Sequence, residues 1–223
     1  MRNNKIFALV FRCAAFILCL TGILKTAGVF DGRLNAEIFL YYTVESNILV
    51  LVTFGIFIAK TAADLRRGGG SKSGVSGGAG YYERYAAVVT LAITVTMLIF
   101  WVMLAPVMEP AYLLAYSNLQ VHTFTPLLMI FDYFLFAAPG RMKKADPWIF
   151  AAIPFAYFIQ STILGFAGVR YHAFSKTPTR FPYFFVDFDL SGAWVFFYVA
   201  LFTVFFMGLA YLLLWFDGKR RRG

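Results

Sequence analysis

Six long apolar runs separated by short polar stretches set the pattern of the chain. They cover about 6–26, 38–60, 85–107, 118–138, 148–169 and 192–216. Each supplies the ~20 residues with which an α-helix crosses a ~30 Å hydrocarbon layer. None shows the short alternating segments of a membrane barrel. The pattern predicts an all-α integral membrane protein, residues 1–223 forming a single six-transmembrane-helix bundle. Between the second and third runs, 66–82 includes Gly68-Gly69-Gly70-Ser71-Lys72-Ser73 and reads as a flexible Gly/Ser-rich cytoplasmic loop. Tyr81, Tyr82, Tyr85, Trp148 and Trp215 sit at the ends of runs, where aromatic side chains anchor helices at the headgroup level.

Composition agrees with the pattern. Hydrophobic residues make up 61% of the chain and charged residues 14%, against about 25% charged in ordinary soluble domains. A soluble enzyme, a disordered protein and a disulfide scaffold are excluded. Cys13 and Cys19 share one apolar run on different faces, so neither a local disulfide nor a metal spacing appears. The net charge of +9 points to the membrane rather than to nucleic acid. Of the twenty Lys and Arg, fourteen fall on the side of the two termini, five on the other, and Arg12 inside the first run. Cationic loops stay cytoplasmic, so both termini are expected in the cytoplasm. Arg12 also interrupts the apolar middle that a removable signal peptide would need.

Ionisable groups inside spans are costly and mark candidate sites. Arg12 lies ~9 Å from its helix end and is expected to snorkel. In the second run Thr43, Ser46, Asn47 and Val50 form a helical stripe, with Glu45 on the opposite face. In the fourth, His122, Thr125, Pro126 and Met129 form another, and Pro126 is expected to loosen the helix at the carbonyl of His122. Thr43 sits ~7 Å and His122 ~6 Å from the outer ends of their helices, so the two stripes meet at one depth. A threonine hydroxyl beside a neutral imidazole is a nucleophile with its base. Asp132 lies ~15 Å farther along the helix than His122, too far to orient it, so a dyad is expected with Asp132 structural or lining an inner cavity. Ser46 and Asn47 are candidate oxyanion donors and Glu45 a candidate orienting group. Thr125, Pro126, Met129 and Gln160 are candidates for the substrate pocket. The loop Arg170 to Ser191 is a candidate lid, with Arg170 or His172 able to bind a carboxylate and Tyr183 in its aromatic patch. No metal or other cofactor is implied. The sequence carries no signal for oligomeric state.

At these residues the chain resembles a known family. Tyr42-Thr43-Val44-Glu45-Ser46-Asn47, His122-Thr123-Phe124-Thr125-Pro126-Leu127-Leu128 followed by Asp132, and Phe181-Pro182-Tyr183-Phe184-Phe185-Val186-Asp187 are similar to motifs of a prokaryotic six-helix membrane family. It is related to the androgen-induced-gene and androgen-dependent TFPI-regulating proteins, threonine hydrolases that cleave fatty acid esters of hydroxy fatty acids. The resemblance implies Thr43 as nucleophile, His122 as its partner, a membrane lipid or fatty acid ester as substrate, and a bacterial cytoplasmic membrane as location. Two other readings fit the residues. One is a small-solute or proton-coupled transporter with a polar path through Glu45, Asp132, His122 and Gln160. The other is a non-catalytic lipid-binding scaffold.

Overall fold

The computed structural model describes residues 4–66, 80–172 and 177–220. Most of the loop read from sequence at 66–82 therefore lies outside the described residues. Among the described residues the protein is all-helical and carries six helices long and apolar enough to cross a membrane: α1 (Lys5–Thr26), α2 (Tyr42–Arg66), α3 (Glu83–Val107), α4 (Tyr116–Phe136), α5 (Asp146–Phe166) and α6 (Trp194–Arg220). Among the described residues the sole β-type pairing is the bridge Tyr171–Thr179.

Two boundaries differ from the hydropathy pattern for local reasons. Apolar Ile38–Leu40 does not begin α2. It belongs to a separate 3₁₀ turn, Ala36–Leu40, whose start is capped by the Asn35 side chain accepting from the Glu37 N–H. Tyr41 is extended (φ −94°, ψ 137°) and breaks the helix, so Thr43 enters in the first turn of α2. At the other end α2 runs on to Arg66, because Thr61 and Asp64 find partners in Arg12 and Lys5.

The helices alternate in direction. One end of the bundle gathers Lys5 with Asp64, Arg84 with Asp146, and the Met142 N–H with Asp217. The opposite end gathers Glu37 with His172, the Tyr157 hydroxyl with the Leu40 carbonyl, and Thr43 with His122. α3 is the central helix. It packs on α2, α4, α5 and α6, while α1 packs on α2 and α4, and α5 on α6. Of α3's most apolar stretch 61% is buried, against 17% for α6.

Polarity runs from the inside outward. Ile17, Val52, Val102, Ile163 and Val204 are exposed, whereas Arg12, Ser46, Asn47, Gln120, His122 and Asp132 are buried. That arrangement suits a hydrocarbon surrounding, where polar groups must find partners within the protein. Arg12 corrects the snorkelling expectation. It is fully buried, its Nε and Nη2 bind the two oxygens of Asp132 at 2.6 and 3.1 Å, and Nη1 donates to Thr61 at 3.1 Å. The guanidinium also lies over the Phe57 and Phe136 rings, 4.7 and 5.2 Å from their centroids. A bidentate carboxylate on the neighbouring helix competes better for the charge than distant headgroups do. Asp132 is thereby committed to joining α1, α2 and α4.

Candidate functional site

α2 and α4 are direct neighbours, and the Thr43 Oγ1 stands 3.2 Å from the His122 Nε2. The other ring nitrogen, Nδ1, stands 3.2 Å from the carbonyl oxygen of Asn118. A carbonyl only accepts, so Nδ1 carries the proton. In the neutral ring Nε2 is then the acceptor, and Thr43 donates its hydroxyl proton to it. The ring is held from a third side by Phe100, stacked on it with centroids 3.7 Å apart and planes at 17°.

Two π-helical turns make this arrangement. One spans Gln120–Phe124 in α4, the other Phe100–Leu104 in α3. One residue separates each from a proline, Pro126 and Pro106. In a π turn the N–H bonds the carbonyl five residues back, as Thr125 does to Gln120. The carbonyl that Pro126 leaves without a donor is therefore that of Val121, not that of His122. Asn47 supplies the missing bond: its Nδ2 donates to the Val121 carbonyl at 3.0 Å and to the Thr43 carbonyl at 2.7 Å. Both of its amide protons are thus spent in fixing α2 against α4 beside the dyad. Ser46 Oγ lies 3.0 Å from the Thr43 carbonyl and 2.7 Å from Thr96 Oγ1, tying α2 to α3.

Thr43 opens onto an apolar cavity of about 770 Å³, its open mouth included, walled by α2, α3, α5, α6 and the α5–α6 loop. Tyr183, Phe185 and Val186 bring the loop to the cavity. Gly165 lets that loop lie against α5, since a Cβ there would come within 2.5 Å of the Phe181 ring and 2.6 Å of the Arg180 carbonyl oxygen. The Tyr183 ring is stacked on Phe185 at 5.1 Å and meets Tyr41 edge-on at 5.9 Å. Its hydroxyl is hydrogen-bonded to both the side chain and the backbone of Thr43. Burial pushes the Tyr183 phenol up to about 12, the bonds from Thr43 and Tyr157 acting in the opposite direction. The Thr43 N–H donates to the phenol oxygen, which is why that bond favours the phenolate.

Other candidates lie elsewhere. Thr125, Pro126, Met129 and Asp132 are buried and do not line the cavity. Glu45 accepts from Gln160 Nε2 at 2.6 Å, joining α2 to α5. Arg170 is exposed and donates to the carbonyl of Val169 at 3.2 Å. His172 binds Glu37 through its backbone N–H at 2.5 Å and its Nδ1 at 2.6 Å, and the Tyr41 hydroxyl joins them at 3.0 Å. Partial burial raises the Glu37 carboxyl, yet the bonds from His172 and Tyr41 outweigh it and hold that group below its ordinary value. Among the described residues no three His, Cys, Asp or Glu side chains gather in a metal-binding cluster.

The sequence pattern did not single out Phe100, Pro106 or the Asn118 carbonyl. The available signal was the repeat of an aromatic or imidazole ring four to six residues before a proline in two successive helices. No protein-family model, curated protein or solved structure matches the chain.

Proposed function

We propose that the protein is an intramembrane lipid ester hydrolase, with Thr43 as nucleophile and His122 as base. Its substrates are fatty acid esters of hydroxy fatty acids or similar lipid esters. The observation that carries this reading is the 3.2 Å contact between the Thr43 hydroxyl and the unprotonated nitrogen of a ring whose other nitrogen is anchored on a carbonyl. Such a ring has its tautomer and orientation set before substrate arrives, as hydroxyl activation requires. The cavity beside Thr43 is apolar, which suits an acyl chain arriving from the bilayer.

The reaction follows from these atoms. Thr43 Oγ1 attacks the ester carbonyl carbon as His122 Nε2 takes its proton, and the carbonyl π pair moves onto oxygen. That developing charge lies at the first turn of α2, whose N-terminal end favours negative charge. Collapse expels the alkoxide, which recovers a proton from Nε2 and leaves acyl-Thr43. Water, deprotonated by His122 Nε2, then attacks the acyl carbon, and the expelled Thr43 oxygen takes that proton back as the fatty acid is released. The closed pairs Arg12–Asp132 and Glu45–Gln160 count against a continuous polar path for a carried solute. We place the protein in a bacterial cytoplasmic membrane with both termini cytoplasmic, a reading supported by the excess of Lys and Arg on that side.

The test is labelling in detergent with a fluorophosphonate probe, together with hydrolysis of a fatty acid ester of a hydroxy fatty acid. Wild type is expected to label and to turn over, and Thr43→Ala and His122→Ala to do neither. Labelling retained in Thr43→Ala overturns the nucleophile.

A further inference from the structure

Which half of the ester enters the cavity is decided by where His122 stands. Thr43 and Phe100 line the cavity and His122 does not, its ring being stacked against Phe100. A leaving alkoxide must take its proton from His122 Nε2, so the alcohol half has to face the imidazole. The acyl half is then directed to the opposite side of Thr43, where the cavity begins.

The cavity also has a measurable depth. On α6 its lining runs from Val199 to Phe206, and on α5 from Phe158 back to Ala151. Seven residue steps in each case give a run of ~10 Å down the bundle from the level of Thr43. The far end is closed by Phe206, which is buried and packed edge-on against the fully buried Phe150 at 6.4 Å. Among the described residues no Lys, Arg, His, Asp or Glu lines it. A carboxylate drawn into such a space would be unpaired and desolvated, which is prohibitive. Phe155 and Thr203 line the cavity and are also exposed, giving it an opening on the apolar outer surface between α5 and α6.

Building on the hydrolase reading, we infer that this cavity is an acyl-chain pocket. It takes the single uncharged acyl chain of the ester, entering sideways from the bilayer, and Phe206 and Ala151 set the length it accepts. Any free carboxylate of the substrate belongs to the alcohol half and stays outside the pocket.

Binding and turnover test this separately. A fatty acid carrying a diazirine at its methyl end is photolysed with Thr43→Ala in detergent, and the modified peptides are mapped. Crosslinks at Ala151 to Pro154 and at Thr203 to Phe206 are expected; crosslinks confined to the outward faces of the helices overturn the pocket. On the wild-type background, p-nitrophenyl octanoate and palmitate are compared. Phe206→Ala is expected to raise the palmitate-to-octanoate ratio of kcat/KM, and Ala151→Phe to lower it, each by roughly tenfold. Unchanged ratios in two variants whose thermal unfolding matches wild type overturn the length assignment. Crosslinking at the pocket with no ester turnover by wild type would sink the hydrolase reading and leave the acyl site standing.

Discussion

His122 and Phe100 lie face to face from two π-helical turns, 3.7 Å between ring centres, each turn ending two residues before a proline. The stack fixes the plane of the imidazole, the Asn118 carbonyl fixes its tautomer, and Thr43 receives what remains, a lone pair at 3.2 Å.

Removal of either member of the dyad is expected to lower ester hydrolysis by at least about 10³-fold, since residues that act as a unit fail together. Thr43→Ser, which keeps the hydroxyl, is expected to retain measurable turnover. Loss in Thr43→Ala without loss in His122→Ala, read as kcat/KM, would contradict the pairing.

The buried Arg12–Asp132 pair sets a stability test. Asp132→Asn leaves a guanidinium buried without its counter-charge and is expected to cost about 3–5 kcal/mol. Replacing both partners, Arg12→Met with Asp132→Leu, is expected to recover most of that. Denaturant titration in detergent micelles reads both, and equal losses in the single and double variants would be the contrary result.

Asn47 and Pro126 are coupled through one carbonyl. Asn47→Ala is expected to cost about 1–3 kcal/mol by leaving the Val121 oxygen without a donor. In a Pro126→Ala background the chain supplies its own N–H, so the same substitution should cost about 1 kcal/mol less. A double-mutant cycle on unfolding free energies measures the difference, and strict additivity would show that the two do not share that oxygen.

Glu37 gives a pH dependence with a definite sign. Its folded pKa lies below its unfolded one, so its contribution is complete above the unfolded value and is lost as pH falls through the folded value. Wild type is therefore expected to have a higher Tm than Glu37→Gln at neutral pH. That gap should close below the ordinary carboxylate range, about pH 4. A gap that widened on acidification would reverse the assignment.

Much of this architecture was legible because the membrane imposes it. Length and apolarity alone define six helices, but the depth count that paired Thr43 with His122 took the second helix to begin at residue 38, whereas α2 begins at Tyr42 and α4 at Tyr116. The start of α2 was not legible: Ile38–Leu40 is apolar enough to continue a span, and an Asn35 cap with an extended Tyr41 ends that continuity instead. Nor was the fate of Arg12, which depended on knowing that α1 adjoins α4. The roles of Asn47 and Asn118 were hidden for a different reason. They act through carbonyls whose direction is set by a π turn, and a side-chain periodicity of 3.6 contains no record of it.

The central position of α3 bears on how the bundle is built. α1 and α2 have only each other until α3 arrives, whereas α4, α5 and α6 each come to a surface that α3 already presents. Assembly thus converges on a pillar laid down third in order of synthesis. A chain cut before Glu83 would strand its first two rods in lipid, and a separately made second half would lack the post against which its three members lean.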